Sequence, residues 1–122
     1  WGGGRDQKSG ILGLDSGRGN TIASVVKPDL VAPAVGVQAI GRLGNYVTLT
    51  GTSAASAIAA GACAQIMEWG NSRGRRLLLN SVQIGNILIR GCERNPDVSY
   101  PNTAWGYGKM NVYDALMKFY GV

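Results

Sequence analysis

The chain has 122 residues, 45% hydrophobic and 16% charged, enough for one small domain and without a long polar tract. No apolar run reaches the length of a membrane span: the longest, Ala54 to Trp69, contains Gln65 and Glu68 and reads as a core helix. The net charge of +5 comes without aromatic-basic interleaving, which argues against nucleic-acid binding, and with no histidine and two cysteines there is no zinc set.

Residues 1–24 carry many Gly, Ser, Asp and Arg and read mostly as loop, with a short strand at Ile11–Leu14. Ile22 to Val26 reads as extended and leads to Lys27-Pro28-Asp29. Pro28 and Pro33 each disfavour helix at the residue before them, so Leu30-Val31-Ala32-Pro33 is a short extended piece ending in a turn. Val35 to Ile40 has strand composition, Gly41 to Asn45 is a turn, and Tyr46 to Thr50 is a second strand.

The first helix is expected over Thr52 to Trp69. Its side chains are small and apolar on nearly every face until Glu68, the pattern of a buried helix that neighbours approach closely. Gly70 and Asn71 supply a stop. The basic run Arg73-Gly74-Arg75-Arg76 reads as a solvated loop between helices. A second helix starts at Asn80, where Asn80 and Gln83 form a capping-box pattern, and Gly91 ends it. Its apolar face is Val82, Ile84, Ile87, Leu88 and Ile89. A loop through Asn95-Pro96-Asp97 and Tyr100-Pro101-Asn102 leads to an extended Trp105-Gly106-Tyr107-Gly108. A third helix covers Asn111 to Tyr120, with Val112, Ala115, Leu116 and Phe119 at helical spacing and Asn111 and Asp114 as caps. Cys63 and Cys92 read as two free thiols, Cys63 as a small core residue. Trp69, Trp105 and Tyr107 read as core or interface residues.

Gly51-Thr52-Ser53-Ala54-Ala55 carries the chemistry. A serine where a strand runs into a helix lies beside backbone N–H groups that have no helical acceptor, a setting suited to a nucleophilic oxygen and the oxyanion it creates. The competing reading of Ser53 is a plain helix-starting serine, since serine is favoured there. The absence of histidine leaves Ser53 without the usual base in this chain.

Three segments, in order and in spacing, resemble the subtilisin-like (subtilase) serine peptidases. Lys27-Pro28-Asp29-Leu30-Val31-Ala32-Pro33 is similar to the family's Lys-Pro-Asp-x-x-Ala-Pro-Gly. Gly51-Thr52-Ser53-Ala54-Ala55 is similar to the Gly-Thr-Ser-x-Ala around the nucleophile. Trp105-Gly106-Tyr107-Gly108-Lys109-Met110-Asn111-Val112 is similar to the segment before the last helix. The likeness covers about residues 17–118. Ala54, Ala57 and Ile58 stand where the family commonly has Met, Pro and His; the proline-free pattern resembles the clostridial-type subtilases.

The resemblance implies an α/β fold: residues 1–122 as the C-terminal part of a subtilisin-like three-layer domain, with a parallel sheet, a buried central helix and the remainder of the domain upstream. It implies a serine endopeptidase that hydrolyses peptide bonds through an acyl-enzyme on Ser53. The Ser53 N–H would contribute to the oxyanion hole, Thr52 would help in positioning, and the triad Asp and His would lie upstream of Trp1. The chain alone is then expected to be inactive. The alternatives are a subtilase-like pseudoprotease acting as a binding or regulatory protein and, third, a small basic nucleic-acid-binding module. The implied partners are a peptide or protein substrate, the missing N-terminal part of the same domain and a second copy of the chain, with no nucleic acid and no membrane. No cofactor or metal is implied for this chain, and Asp29 reads as structural; calcium belongs to the expectations for the full-length parent. The resemblance points to an extracellular or spore-associated location.

Overall fold

A computed structural model describes residues 1–2, 10–19, 22, 25–72 and 78–120. The basic run at 73–76 and part of the extended piece expected at 22–26 lie outside the described residues. Five elements follow in order: β1 (Val37–Ile40), β2 (Tyr46–Leu49), α1 (Thr52–Asn71), α2 (Ser81–Gly91) and α3 (Val112–Tyr120).

The strands form an antiparallel hairpin whose register runs from Val37 opposite Leu49 to Ile40 opposite Tyr46. Gly41 closes its loop by donating its N–H to the Asn45 carbonyl at 2.6 Å, and Gly44 takes φ +77°, which a side chain would oppose. Parallel pairing among the described residues is limited to one bridge, Val31 with Lys109. The short strand expected at Ile11–Leu14 reduces to a single bridge between Gly2 and Ile11.

The capping box of α2 is present in full. Asn80 Oδ1 accepts the Gln83 N–H and Gln83 Oε1 accepts the Asn80 N–H, each at 2.9 Å. The helix ends at Gly91, as the sequence indicates. Of its expected apolar face, Ile84, Ile87 and Leu88 are buried and Ile89 partly so; Val82 is exposed, because it lies in the first turn on the side away from α3 and α1. Asn111 caps α3, accepting the Asp114 N–H at 3.0 Å on its side chain and the Ala115 N–H on its carbonyl.

One core joins the three helices through Ala62, Ile66, Ile84, Ile87, Leu88 and Ala115. A second gathers Trp1, Val31 and Ala32 with Leu12, Ala55 and Trp105 against them. Met110 touches both. Trp69 stacks edge-on against Tyr120, with ring centroids 5.6 Å apart, so it is a packing residue. Arg94 ties the end of α2 to the following loop, donating to the Ile89 and Tyr107 carbonyls at 2.7 Å each. Cys63 and Cys92 are free thiols.

The burial of α1 differs from what its composition suggests. Only Ala62, Ile66 and Gly70 are buried, while Ser53, Ala57, Ala60, Gly61 and Ala64 form an exposed stripe. A helix apolar on every side needs cover on every side. Here α2 and α3 cover one face of its C-terminal half, and the residues around Val31 cover its first turns.

Candidate active site

The site is assembled by backbone pairing between segments distant in sequence. Val31 is the hinge of this pairing. Its N–H donates to the Gly108 carbonyl at 3.0 Å and its carbonyl accepts the Met110 N–H at 2.8 Å. Next to it, the Tyr107 N–H donates to the Asp29 carbonyl at 2.7 Å. Gly106, at φ +57°, lies so close to the Pro28 and Asp29 backbone that a side chain there would overlap it. Residues 105–108 are therefore a tight turn rather than the extended run expected, with Gly108 N–H donating to Trp105 O at 2.9 Å. The Asp29 carboxylate lies 2.8 Å from Lys27 Nζ in an exposed ion pair.

The same segment reaches the start of α1. Trp1 donates its N-terminal amine to the Ala32 carbonyl and accepts the Ala34 N–H on its own carbonyl, at 2.9 and 2.8 Å. The Gly51 N–H in turn donates to the Ala34 carbonyl at 2.8 Å. The segments 27–34, 50–52 and 105–110 thus meet through main-chain bonds.

At Gly51 the chain passes through φ +152°, ψ 162° and turns into α1. Gly51 is the N-cap, and no side chain caps the helix. The first helical bonds run from the Ala54 and Ala55 N–H groups to the Gly51 carbonyl, at 3.1 and 3.4 Å. The Thr52 and Ser53 amides stand ahead of that ladder. No acidic residue occupies the first turn, so the positive end of the helix is not offset locally. The contrast with α2 and α3, both capped by asparagine side chains, is direct. Ser53 is the second residue of the helix and exposed. The cap position is held by Gly51, so Ser53 lies in the first turn without capping the helix.

An apolar cleft of about 740 Å³ opens beside this turn, between Trp1, Leu12 and Leu30 on one side and Thr52, Ala55, Ser56 and Ala59 of α1 on the other. Thr52 lines it, whereas Ser53 lies on the neighbouring, solvent-facing stripe of the helix. Ser56 and Ala59 were not singled out from sequence. Their spacing from Thr52, four and then three residues further on, was the available signal. Among the described residues no group of three His, Cys, Asp or Glu side chains stands close enough to hold a metal ion, and no helix is long and apolar enough to cross a membrane.

This α/β arrangement, with a serine one step inside an uncapped helix, is that of a subtilisin-like fold. The subtilase family (peptidase S8) matches residues 7–108, and the chain belongs to that family. It is 33% identical over 90 residues to the membrane-bound transcription factor site-1 proteases of Mus musculus and Rattus norvegicus, covering 74% of this chain and 8% of each relative. The solved CspB protease of Clostridium perfringens superposes with a TM-score of 0.79 at 34% identity, over 86% of this chain and 23% of that one. The prenylagaramide maturation protease PagA, at 24% identity and TM-score 0.55, shares the fold over 71% of this chain and 31% of its own. The chain therefore corresponds to a small part of each relative.

Proposed function

We propose that this chain carries the nucleophile of a serine endopeptidase. In this reading Ser53 Oγ attacks a peptide carbonyl, and the Ser53 N–H faces the oxyanion at the open end of α1. Water then releases the acyl group. Thr52, between the serine and the cleft, positions the turn and the substrate chain. The base and its orienting carboxylate come from residues outside the chain, as do the substrate pockets upstream. The location of Ser53 at an uncapped, exposed helix start, within a region matched by the subtilase family, carries this reading.

The chain alone is expected to be inactive, because an alcohol without a general base is a weak nucleophile. The proposed partners are a peptide or protein substrate, the remainder of the catalytic domain and a second copy of the chain against the exposed face of α1. Calcium is proposed for the full-length parent alone, and secretion or association with spores is proposed from the likeness to clostridial relatives. The second reading is a pseudoprotease that binds a partner without chemistry; Ala57, where the family commonly has proline close after the serine, is the feature that favours it.

A fluorophosphonate probe applied to the full-length parent decides between them. An active enzyme is labelled on Ser53 and loses the label in Ser53→Ala. A folded parent that takes no label is the pseudoprotease.

A further inference from the structure

The β1–β2 ladder ends at the pair Val37 and Leu49, yet the two chains do not part there. One residue further out, the Gly36 N–H donates to Thr50 Oγ1 at 3.0 Å. Gly51, the next residue after Thr50, donates its N–H to the carbonyl of Ala34, two residues before Gly36, at 2.8 Å. A regular ladder would continue through the backbone of Thr50 and carry strand geometry into Gly51. Here the Thr50 side chain makes the bond instead. Gly36, at φ +67°, turns its strand away while staying tied to Thr50. The Thr50 main chain is thereby released to enter the Gly51 turn, at φ +152°, that presents Ser53.

We propose that Thr50 is a positioning residue for Ser53. Its hydroxyl fixes the end of β2 against the turn at 34–36, and so sets where α1 begins and where the serine oxygen stands. The role rests on the reading of Ser53 as nucleophile. Thr50 acts through the backbone of Gly51 and Thr52. Its hydroxyl is exposed, and the Gly36 N–H can turn to water when that acceptor is removed, so its loss affects placement more than folding.

The test is the rate of fluorophosphonate labelling of the full-length parent carrying Thr50→Val or Thr50→Ser, with Ser53→Ala as the blank. Valine keeps the shape and removes the acceptor; serine keeps the acceptor. Thr50→Val is expected to lower the maximal labelling rate at least about tenfold, the scale on which small misplacements act, with half-saturating probe concentration and melting temperature nearly unchanged. Thr50→Ser is expected to restore the rate to within about twofold, since it retains the hydrogen bond. Equal rates for valine and wild type would overturn the role, as would a serine variant no faster than valine or a loss of rate that only tracks unfolding. A folded wild type that takes no label removes the reading of Ser53 and the role of Thr50 with it.

Discussion

Gly91, the last residue of α2, lies against the backbone of Ala115 in α3 so closely that a Cβ on Gly91 would overlap the Ala115 N, Cα and Cβ atoms. The two helices meet at this point through the Gly91 main chain and the main chain and Cβ of Ala115. Neither partner has a side chain that can yield by rotating.

Two alanine substitutions on the same helix therefore separate. Gly91→Ala is expected to destabilise the chain by about 1–3 kcal/mol, the usual cost of overpacking. Gly85→Ala meets nothing within 4 Å. It is expected to stabilise by about 0.5–1 kcal/mol, because glycine in a helix interior is the poorer helix former. Urea midpoints of the two variants check the opposite signs.

Asn80→Ala removes one half of the α2 capping box: the Gln83 N–H loses its side-chain acceptor, while the main-chain N–H of residue 80 still has Gln83 Oε1 to donate to. A loss of about 1 kcal/mol is expected, typical of a helix N-cap. Asn80→Ser retains the acceptor and is expected to recover most of it. Circular dichroism melts of the three proteins suffice.

The two cysteines are expected to differ in reactivity. Cys92 is buried, donates to the Leu88 carbonyl at 3.4 Å, and burial pushes its thiol up to about 11 against an ordinary value of 9.0, with Arg94 and Lys118 pulling weakly the other way. Cys63 is only partly buried. Iodoacetamide at neutral pH is expected to alkylate Cys63 well before Cys92, read by peptide mass. The sign for stability follows from the raised value: the contribution of the neutral thiol is complete below pH 9 and is lost as pH rises towards 11. Cys92→Ala is expected to flatten the decline in melting temperature over that window.

The helices were legible in the sequence to within two or three residues because their signals are local. Asn80 and Gln83, Gly91, and Asn111 with Asp114 act over three or four positions, and the capping groups bond where the pattern says. The burial of α1 was not legible in the same way. Its alanines and glycines record that the helix suits a crowded setting, but a composition cannot say whether the neighbours belong to the same chain, and Ala57, Ala60 and Ala64 are exposed. Within the candidate site, Ser53 and Thr52 were found from their motif. The bond from Gly36 to Thr50 was not, because it joins residues fourteen apart through a side chain, and no periodicity marks such a pair. The tight turn at Gly106 was read as extended for a related reason. What bends it is the nearby backbone of Pro28 and Asp29.

The pairing of Val31 with Gly108 and Met110 also bears on the order of assembly. The helix pair α2 and α3 draws on neighbouring stretches of chain and can form early. Val31 must wait for partners near the far end, and distant pairings of this kind close slowly because a long loop has to be ordered first. During synthesis the segment from Val31 to Ala34, which anchors the turn at Gly51, is complete long before Lys109 leaves the ribosome. The serine turn is therefore among the last parts to be locked in place, and until then its apolar surroundings remain open to misassembly.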